Sequence, residues 1–501
     1  MSSSFFDIVV VGTDLSGLVM AAVVAKRGYR VLVIGQGRKG EAYEIDGIPL
    51  PRRPHLFHGL TDCPVAERLL VELGLNIELR NRSGPLTPRF QFVTPRHRLD
   101  IDNDPRVLER ELQREFPAET AAIERYMRHV ALDNARLQAV MESHPPLLPT
   151  GFRERRALRR ATSDIQDMLG EGDASAFDHY LGHFRDGSAA RAMLAAPLPF
   201  MAQPDLATMP STTWVRAAVH ATQGFHSLQG GSDHLRATLI DRVVGHCGSY
   251  RPEATAQSVN ISRGRVRALF LSPRDEEVGC RLVVANSDPK RFFQTVPHES
   301  QKARFHHALH SLQPSHYLAT LNLVVEGPTV QEGMGALVFS VNDPAQPLEG
   351  ENLLAVTTDD RVHARRDGSP CRVVSAACRV PARQFSPRVE QARRIQERME
   401  RHVARLIPFF DERAVVRHLT WMPRDPALAE LDMGEVIPLY SCTTPGSLNG
   451  SPLDSQSGYK NVLVGGDMLF AGFGYEGVFL AGDALIHRAT KAIVLKSTLH
   501  D

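Results

Sequence analysis

The chain has 501 residues, of which 43% are hydrophobic and 23% charged, and its 58 Lys plus Arg nearly cancel its 57 Asp plus Glu. That length calls for about two or three domains, and the near-zero net charge gives no field that would gather nucleic acid or an anionic membrane. A mean hydropathy of −0.21 argues against a membrane span, as does the lack of an uninterrupted apolar run of about 18 residues.

Cys63, Cys247, Cys280, Cys371, Cys378 and Cys442 include no C-x-x-C pair. Neither a zinc knuckle nor a disulfide scaffold is expected, and the thiols read as reduced. The first residues lack the basic flank and cleavage site of a secretory signal, which points to a cytoplasmic setting.

Residues 5–11 form an apolar, β-branched run that ends at Gly12, and residues 15–26 then carry apolar side chains at helical spacing. Gly28 stops that helix and residues 29–34 supply a second buried strand, which completes a strand, helix, strand unit. Residues 105–142 turn charged and amphipathic, with a break at Phe116-Pro117 that predicts two helices. The following stretch, 143–160, holds three prolines and five arginines and reads as an exposed connection with a solvated face.

A turn at 229–232 opens a helix over 233–244, and apolar alternation returns at 259–271 and 280–285. The β-rich runs 318–325, 336–341, 353–357 and 372–377 predict an antiparallel sheet in a second domain. An amphipathic helix over 388–407 follows, then a last strand at 461–464, a glycine-rich turn and a terminal helix. The fold class is therefore α/β, a Rossmann-type dinucleotide-binding domain with an inserted α+β substrate domain. The first comprises 1–100, 220–300 and 455–501; the second comprises 101–219 and 301–454.

Three segments carry chemistry. Val11-Gly12-Thr13-Asp14-Leu15-Ser16-Gly17-Leu18 joins strand to helix, where glycines let a diphosphate approach the exposed N–H groups of the helix N-terminus. The second is Phe225-His226-Ser227-Leu228-Gln229-Gly230-Gly231-Ser232-Asp233-His234-Leu235, with Val283-Val284-Ala285-Asn286-Ser287-Asp288-Pro289 further on. The third is Asn461-Val462-Leu463-Val464-Gly465-Gly466-Asp467 followed by Gly472-Phe473-Gly474-Tyr475-Glu476-Gly477-Val478.

In this order the segments resemble the phytoene desaturases and carotenoid isomerases of the FAD-dependent amine oxidase superfamily. The resemblance implies FAD as cofactor, with Gly12, Ser16 and Gly17 lining the diphosphate and Gln36 accepting a ribose hydroxyl. It further implies that Val259 meets adenine through its backbone and that Gly466, Asp467, Gly474, Gly477 and Val478 hold the ribityl chain and flavin. Catalytic residues are left unassigned; Glu476 and His226 lie nearest by motif position and read as structural.

Departures from the family fall on one half of the cofactor. Asp14 stands where the middle glycine leaves room for diphosphate, and Gly35 stands where a carboxylate holds the adenosine ribose. Gly37-Arg38-Lys39-Gly40 only loosely represents the usual Gly-Gly-Arg, and Ala471 replaces a common proline.

The resemblance implies an FAD-dependent oxidoreductase, of desaturase, saturase or isomerase type, acting on an apolar isoprenoid or polyene-like substrate. Such a substrate lives in lipid and would bring the protein to a membrane surface. The alternative is a flavin-free relative that binds lipid or protein, as the Rab escort and GDP-dissociation inhibitor proteins resemble the same superfamily. No metal site is expected: His306, His307, His310 and His316 are read as one helical face without an acidic partner, and His55 and His58 as loop residues.

Overall fold

The computed structural model describes residues 4–54, 56–58, 63–170, 175–359, 361–425, 428–442, 448–453 and 457–493. Two sheets organise these residues, and the first has seven strands in the order Thr255–Ser262, Arg265–Ser272, Glu276–Ala285, Ser4–Val11, Val31–Ile34 and Ser249–Arg251, with Val462–Val464 also paired to Glu276–Ala285. Its centre is parallel: Val11 aligns with Ala285 on one side and Ile34 on the other, and Ala285 aligns with Val464. The chain's opening and closing strands thus flank one shared neighbour, so the turns that follow them emerge side by side. Residues 255–285 fold as an antiparallel meander on one edge.

Helix Leu15–Lys26 buries every residue from Leu15 to Ala25. A helix apolar all round is a core helix, and this one packs against the terminal helix Gly474–Ala492 and helix Gly231–Gly245. Gly482 permits that crossing, because a Cβ there would lie 2.8 Å from the Val19 side chain.

The second sheet has nine strands. Its main path runs Ala414–Leu419, His316–Glu326, Pro370–Pro381, Gly350–Thr358, Leu337–Val341, Phe90–Val93 and Arg98–Ile101. The four strands predicted between 318 and 377 all lie in it, antiparallel to one another. Hairpin 90–101 also joins this sheet, whereas the sequence boundaries assigned it to the dinucleotide half; Phe90, Phe92, Leu99 and Ile101 are buried there. Helix Val389–Val403 covers one face through Val389, Ala392, Ile395, Met399 and Val403.

Helices Pro105–Glu115 and Thr120–Glu142 separate at Phe116, as the proline after it requires. The arginine-rich stretch differs from expectation: Phe152–Ala161 is a helix with one buried residue, Leu158, so its basic side chains cover a solvated face rather than a loop. His316 opens a strand instead of sharing the helix Ala303–Ser311 with His306, His307 and His310. Among the described residues no helix is long and apolar enough to cross a membrane.

Candidate functional site

The opening turn is locked by Asn286. Its Nδ2 donates to the Gly12 carbonyl at 3.2 Å and the Asp14 carbonyl at 2.9 Å, and its Oδ1 accepts from the Gly17 N–H at 3.0 Å. A Cβ on Gly12 would lie 2.2 Å from the Asn286 carbonyl oxygen, and one on Gly17 would lie 2.1 Å from the Asn286 side chain. Both glycines are therefore needed for packing between adjacent turns. Gly12 also has a φ of +108°, open to glycine at no steric cost.

Asp14 precedes the helix but does not cap it. Its carboxylate crosses to the closing turn instead, where Oδ2 accepts from the Asp467 backbone N–H at 3.2 Å while Oδ1 pairs with Arg38 at 2.6 Å. Gly466 lies close beneath, since a Cβ there would be 2.9 Å from Asp14 Oδ2. Burial, with the Asp467 carboxylate nearby, pushes the Asp14 carboxyl up to about 7 against the pull of Arg38.

Glu41 completes this cluster. Its carboxylate accepts from Arg38, from Arg53 at 3.0 Å and from Arg236 at 2.9 Å. Burial opposes its ionisation, but Arg53, Arg38 and Arg236 together hold its carboxyl well below the usual range. Arg236 also donates to the Thr13 carbonyl at 2.9 Å and to Asp233 at 2.6 Å, which ties the glycine-rich 230–233 turn to the opening one.

At the end of the second strand the Gly35 N–H donates to the Arg251 carbonyl, and a Cβ at 35 would lie 2.0 Å from the Pro252 carbonyl oxygen. Gln36, with φ +54°, gives its side-chain oxygen to the Ala256 N–H at 2.8 Å. Val259 lies three residues further along, and its own N–H donates to the Thr295 carbonyl.

Between the two sheets is a cleft of about 180 Å³ whose wall includes Leu15, His58, Leu318, Leu439, Tyr475 and Val478. His58 is buried, 3% exposed, rather than lying on a surface loop, and burial with His220 beside it pushes its imidazole down to about 3. His55 lies outside the described residues. Gly474 and Gly477 seat the terminal helix: a Cβ on either would lie 2.2 Å and 2.1 Å from the Met201 and Phe470 carbonyl oxygens respectively. Glu476 is fully buried in an ion pair with Arg216, at 2.8 and 2.7 Å, and lies 3.0 Å from His220. His226 sits on a short strand paired with Ser83–Pro85.

One cluster of metal-ligating type occurs among the described residues, His129, Asp133 and His179. Both Asp133 oxygens are engaged, by Arg136 at 3.1 Å and Tyr180 at 2.8 Å.

The structure thus brings Gly12, Ser16 and Gly17 together with Gly466 and Asp467, and commits the Gln36 side-chain oxygen to the Ala256 N–H. The residues present do not fit the adenosine diphosphate half of FAD. Asp14 already takes the Asp467 N–H and Arg38 that a phosphate would use, Glu41 takes three arginines, and no carboxylate stands at 35 to receive a ribose. At an effective dielectric of 20, two like charges about 4 Å apart repel by about 4 kcal/mol.

Asn286, Glu41, Arg53 and Arg236 were not assigned as site residues from sequence. Asn286 and the Asp233 that holds Arg236 lay inside motif segments, so their positions, though not their roles, were visible.

Residues 10–73 match the model of the NAD(P)-binding Rossmann-like domain family. The protein FixC of Escherichia coli K12 is 38% identical over 72 residues, 14% of this chain and 17% of FixC, so the likeness spans under a fifth of that protein. Whole-chain likeness comes from solved structures. Cyclohexylamine oxidase from Brevibacterium oxydans IH-35A is 13% identical with a TM-score of 0.58, covering 97% of this chain and 99% of its own. A Rab GDI from Plasmodium falciparum is 10% identical with a TM-score of 0.52, covering 99% and 100%. The chain has the fold of these two solved structures, here a Rossmann-like domain joined to a second domain whose sheet is antiparallel except for the parallel pairing of Leu337–Val341 with Phe90–Val93. That fold serves oxidoreductases and a GDI alike, so its presence fixes architecture and leaves activity to the site.

Proposed function

We propose that this chain keeps the oxidoreductase fold as a scaffold, holds no tightly bound FAD, and binds an apolar ligand in the cleft between its two sheets. The observation that carries the reading is the Asp14 carboxylate, seated on the Asp467 N–H and Arg38 where a cofactor diphosphate would sit. Leu15, Leu56, Phe200, Leu318, Leu439 and Val478 give the cleft of about 180 Å³ an apolar side, with Arg53, Gln203 and Asp467 also lining it. That volume is below the roughly 300 Å³ that a whole drug-sized ligand needs and suits a small apolar group or one end of a longer molecule.

The test is the absorption spectrum of protein purified from cells supplied with riboflavin, with mass detection of any released cofactor and a titration of the purified protein with FAD. The expected protein is colourless, without the bands near about 370 and 450 nm of a bound flavin, and remains so after FAD is added and removed by gel filtration. Stoichiometric flavin in the purified protein would overturn the reading.

A second reading, an FAD-dependent oxidoreductase acting on an isoprenoid or polyene-like substrate, is favoured by a separate observation. Ser16 Oγ, Ser287 Oγ and Asp467 Oδ1 are buried around the same crossing without a hydrogen-bond partner among the described residues. Buried polar atoms are ordinarily satisfied, so these three favour a polar group bound there. That reading requires Asp14 and Glu41 to turn away, and the same spectrum decides it.

A further inference from the structure

We infer that helix Phe152–Ala161 is a docking surface for an anionic lipid bilayer. The inference stands apart from the question of flavin, because no residue of this helix belongs to the cleft or to the dinucleotide cradle.

Arg153, Arg155, Arg156, Arg159 and Arg160 are all exposed, and Phe152, which opens the helix, is 79% exposed. At about 100° per residue, the outer face reads Arg155, Arg159, Phe152, Arg156, Arg160 and Arg153 across an arc of about 160°, with the phenyl ring near its middle. Glu154, Leu158 and Ala161 fall on the opposite side, and these are its buried or half-buried positions. The helix therefore rests on the protein through Leu158 and turns outward an arginine face with an apolar centre.

Among the described residues none of these five guanidiniums has an ion pair. Glu154, the one carboxylate of the helix, pairs with Lys491 and accepts from the Thr150 N–H at 2.7 Å. The next acids along the chain are held as well, Asp167 by Arg136 at 2.5 Å and Asp164 by the Ser163 hydroxyl at 3.1 Å. The whole chain is nearly neutral, but at physiological salt a charge is felt over only about 8 Å. Five like charges on a helix about 15 Å long therefore act as a local patch, and their mutual repulsion is relieved by an anionic surface. Each arginine brought to such a leaflet is worth about fivefold in affinity.

Charge alone would suit nucleic acid too, and the shape of the face and Phe152 decide for lipid. Nucleic acid is tracked by a groove and contacted by polar side chains besides arginine, whereas this face is convex and the helix holds no Asn, Gln, Ser or Thr. A bilayer meets such a helix along its length, with basic side chains at the headgroups and an aromatic ring sunk between them.

The experiment is co-sedimentation of the full chain with vesicles of phosphatidylcholine alone and of an equal mixture of phosphatidylcholine and phosphatidylserine. Binding to the mixed vesicles is expected to be saturable, tighter than to phosphatidylcholine by about tenfold or more, and weakened by added salt. Arg156→Gln combined with Arg160→Gln is expected to weaken it by about tenfold or more, and Phe152→Ala by about threefold or more. All three positions are exposed, so the circular dichroism spectrum should not change. The control is Arg393→Gln combined with Arg394→Gln, two exposed arginines on helix Val389–Val403, which should leave binding as it is. Equal binding to the two kinds of vesicle, unchanged binding in either variant of helix 152–161, or an equal loss in the control would each overturn the inference. So would saturable binding of an RNA duplex that the Arg156 and Arg160 substitutions abolish while vesicle binding persists.

Discussion

Replacing Asp14 with glycine empties the cradle while leaving its other groups in place, and so measures what the carboxylate does there. In the wild type the Asp467 N–H at 3.2 Å and Arg38 at 2.6 Å are both occupied by Asp14. Freeing them offers two donors to a phosphate, and hydrogen bonds to charged groups are worth about 1.5 to 3 kcal/mol each. Removing the carboxyl also relieves a like-charge repulsion of at most about 4 kcal/mol at about 4 Å, felt only while Asp14 is ionised, which burial holds back to about pH 7. Glu41 remains and still competes for Arg38, so only part of that sum is realised. A gain of about 3 kcal/mol, or roughly a hundredfold in FAD affinity, is the lower end expected. Asp14 adopts φ −64° and ψ 145°, an ordinary extended conformation, so glycine relieves no strain and its effect is electrostatic and steric. The assay is quenching of FAD fluorescence on titration with protein. Asp14→Asn, which keeps the shape and loses the charge, should fall between wild type and Asp14→Gly. Equal affinities across the three folded proteins would refute the idea that Asp14 occupies the diphosphate position.

Three further outcomes follow from the same network and its neighbours. The folded Asp14 carboxyl lies near about 7 against an ordinary 3.8, so the folded chain keeps a proton that the unfolded chain releases; stability should fall as pH rises across that window, and less steeply in Asp14→Asn, as read from urea midpoints at either end of it. Glu476→Gln leaves Arg216, 2% exposed, against a neutral partner in the core; loss of about 3 to 5 kcal/mol in urea unfolding is expected, and a loss below about 1 kcal/mol would contradict the ion-pair assignment. Gly35→Ala drives a Cβ to 2.0 Å from the Pro252 carbonyl oxygen; it should cost about 1 to 3 kcal/mol by overpacking, and Gly35→Glu should lower the melting temperature without raising FAD affinity, whereas tighter FAD binding by that variant would mean the adenosine site is open.

Periodicity carried most of the architecture. The 5–11 and 461–464 runs are plain apolar segments because their parallel strands are buried on both faces, and the 15–26 stretch is apolar all round because it is a core helix. Hairpin 90–101 was not read from the sequence as part of the second sheet, because its partner, Leu337–Val341, is more than 200 residues away and nothing local names it. Within the cradle, Asp14 and Gly35 were legible as departures since each breaks a fixed spacing. Glu41 was not, because its importance comes from Arg53 and Arg236, which reach it from separate elements.

On the proposed reading, the internal carboxylates also bear on how such a fold would stand without a nucleotide. Helix N-termini and clustered guanidinium groups call for an anion, and here Arg38, Arg53 and Arg236 converge on Glu41 and Asp14. A bound diphosphate would satisfy them only by giving up translational and rotational freedom on each association. Carboxylates carried on the chain itself need no such association and act at every concentration. The Asp14 to Asp467 hydrogen bond further joins turns 453 residues apart in sequence, which places the opening and closing strands in register through protein atoms alone. Mass action stabilises a protein through ligands that bind the folded form; if Asp14 and Glu41 close the cradle as proposed, added FAD should leave the unfolding midpoint where it is, and a raised midpoint would refute the proposal.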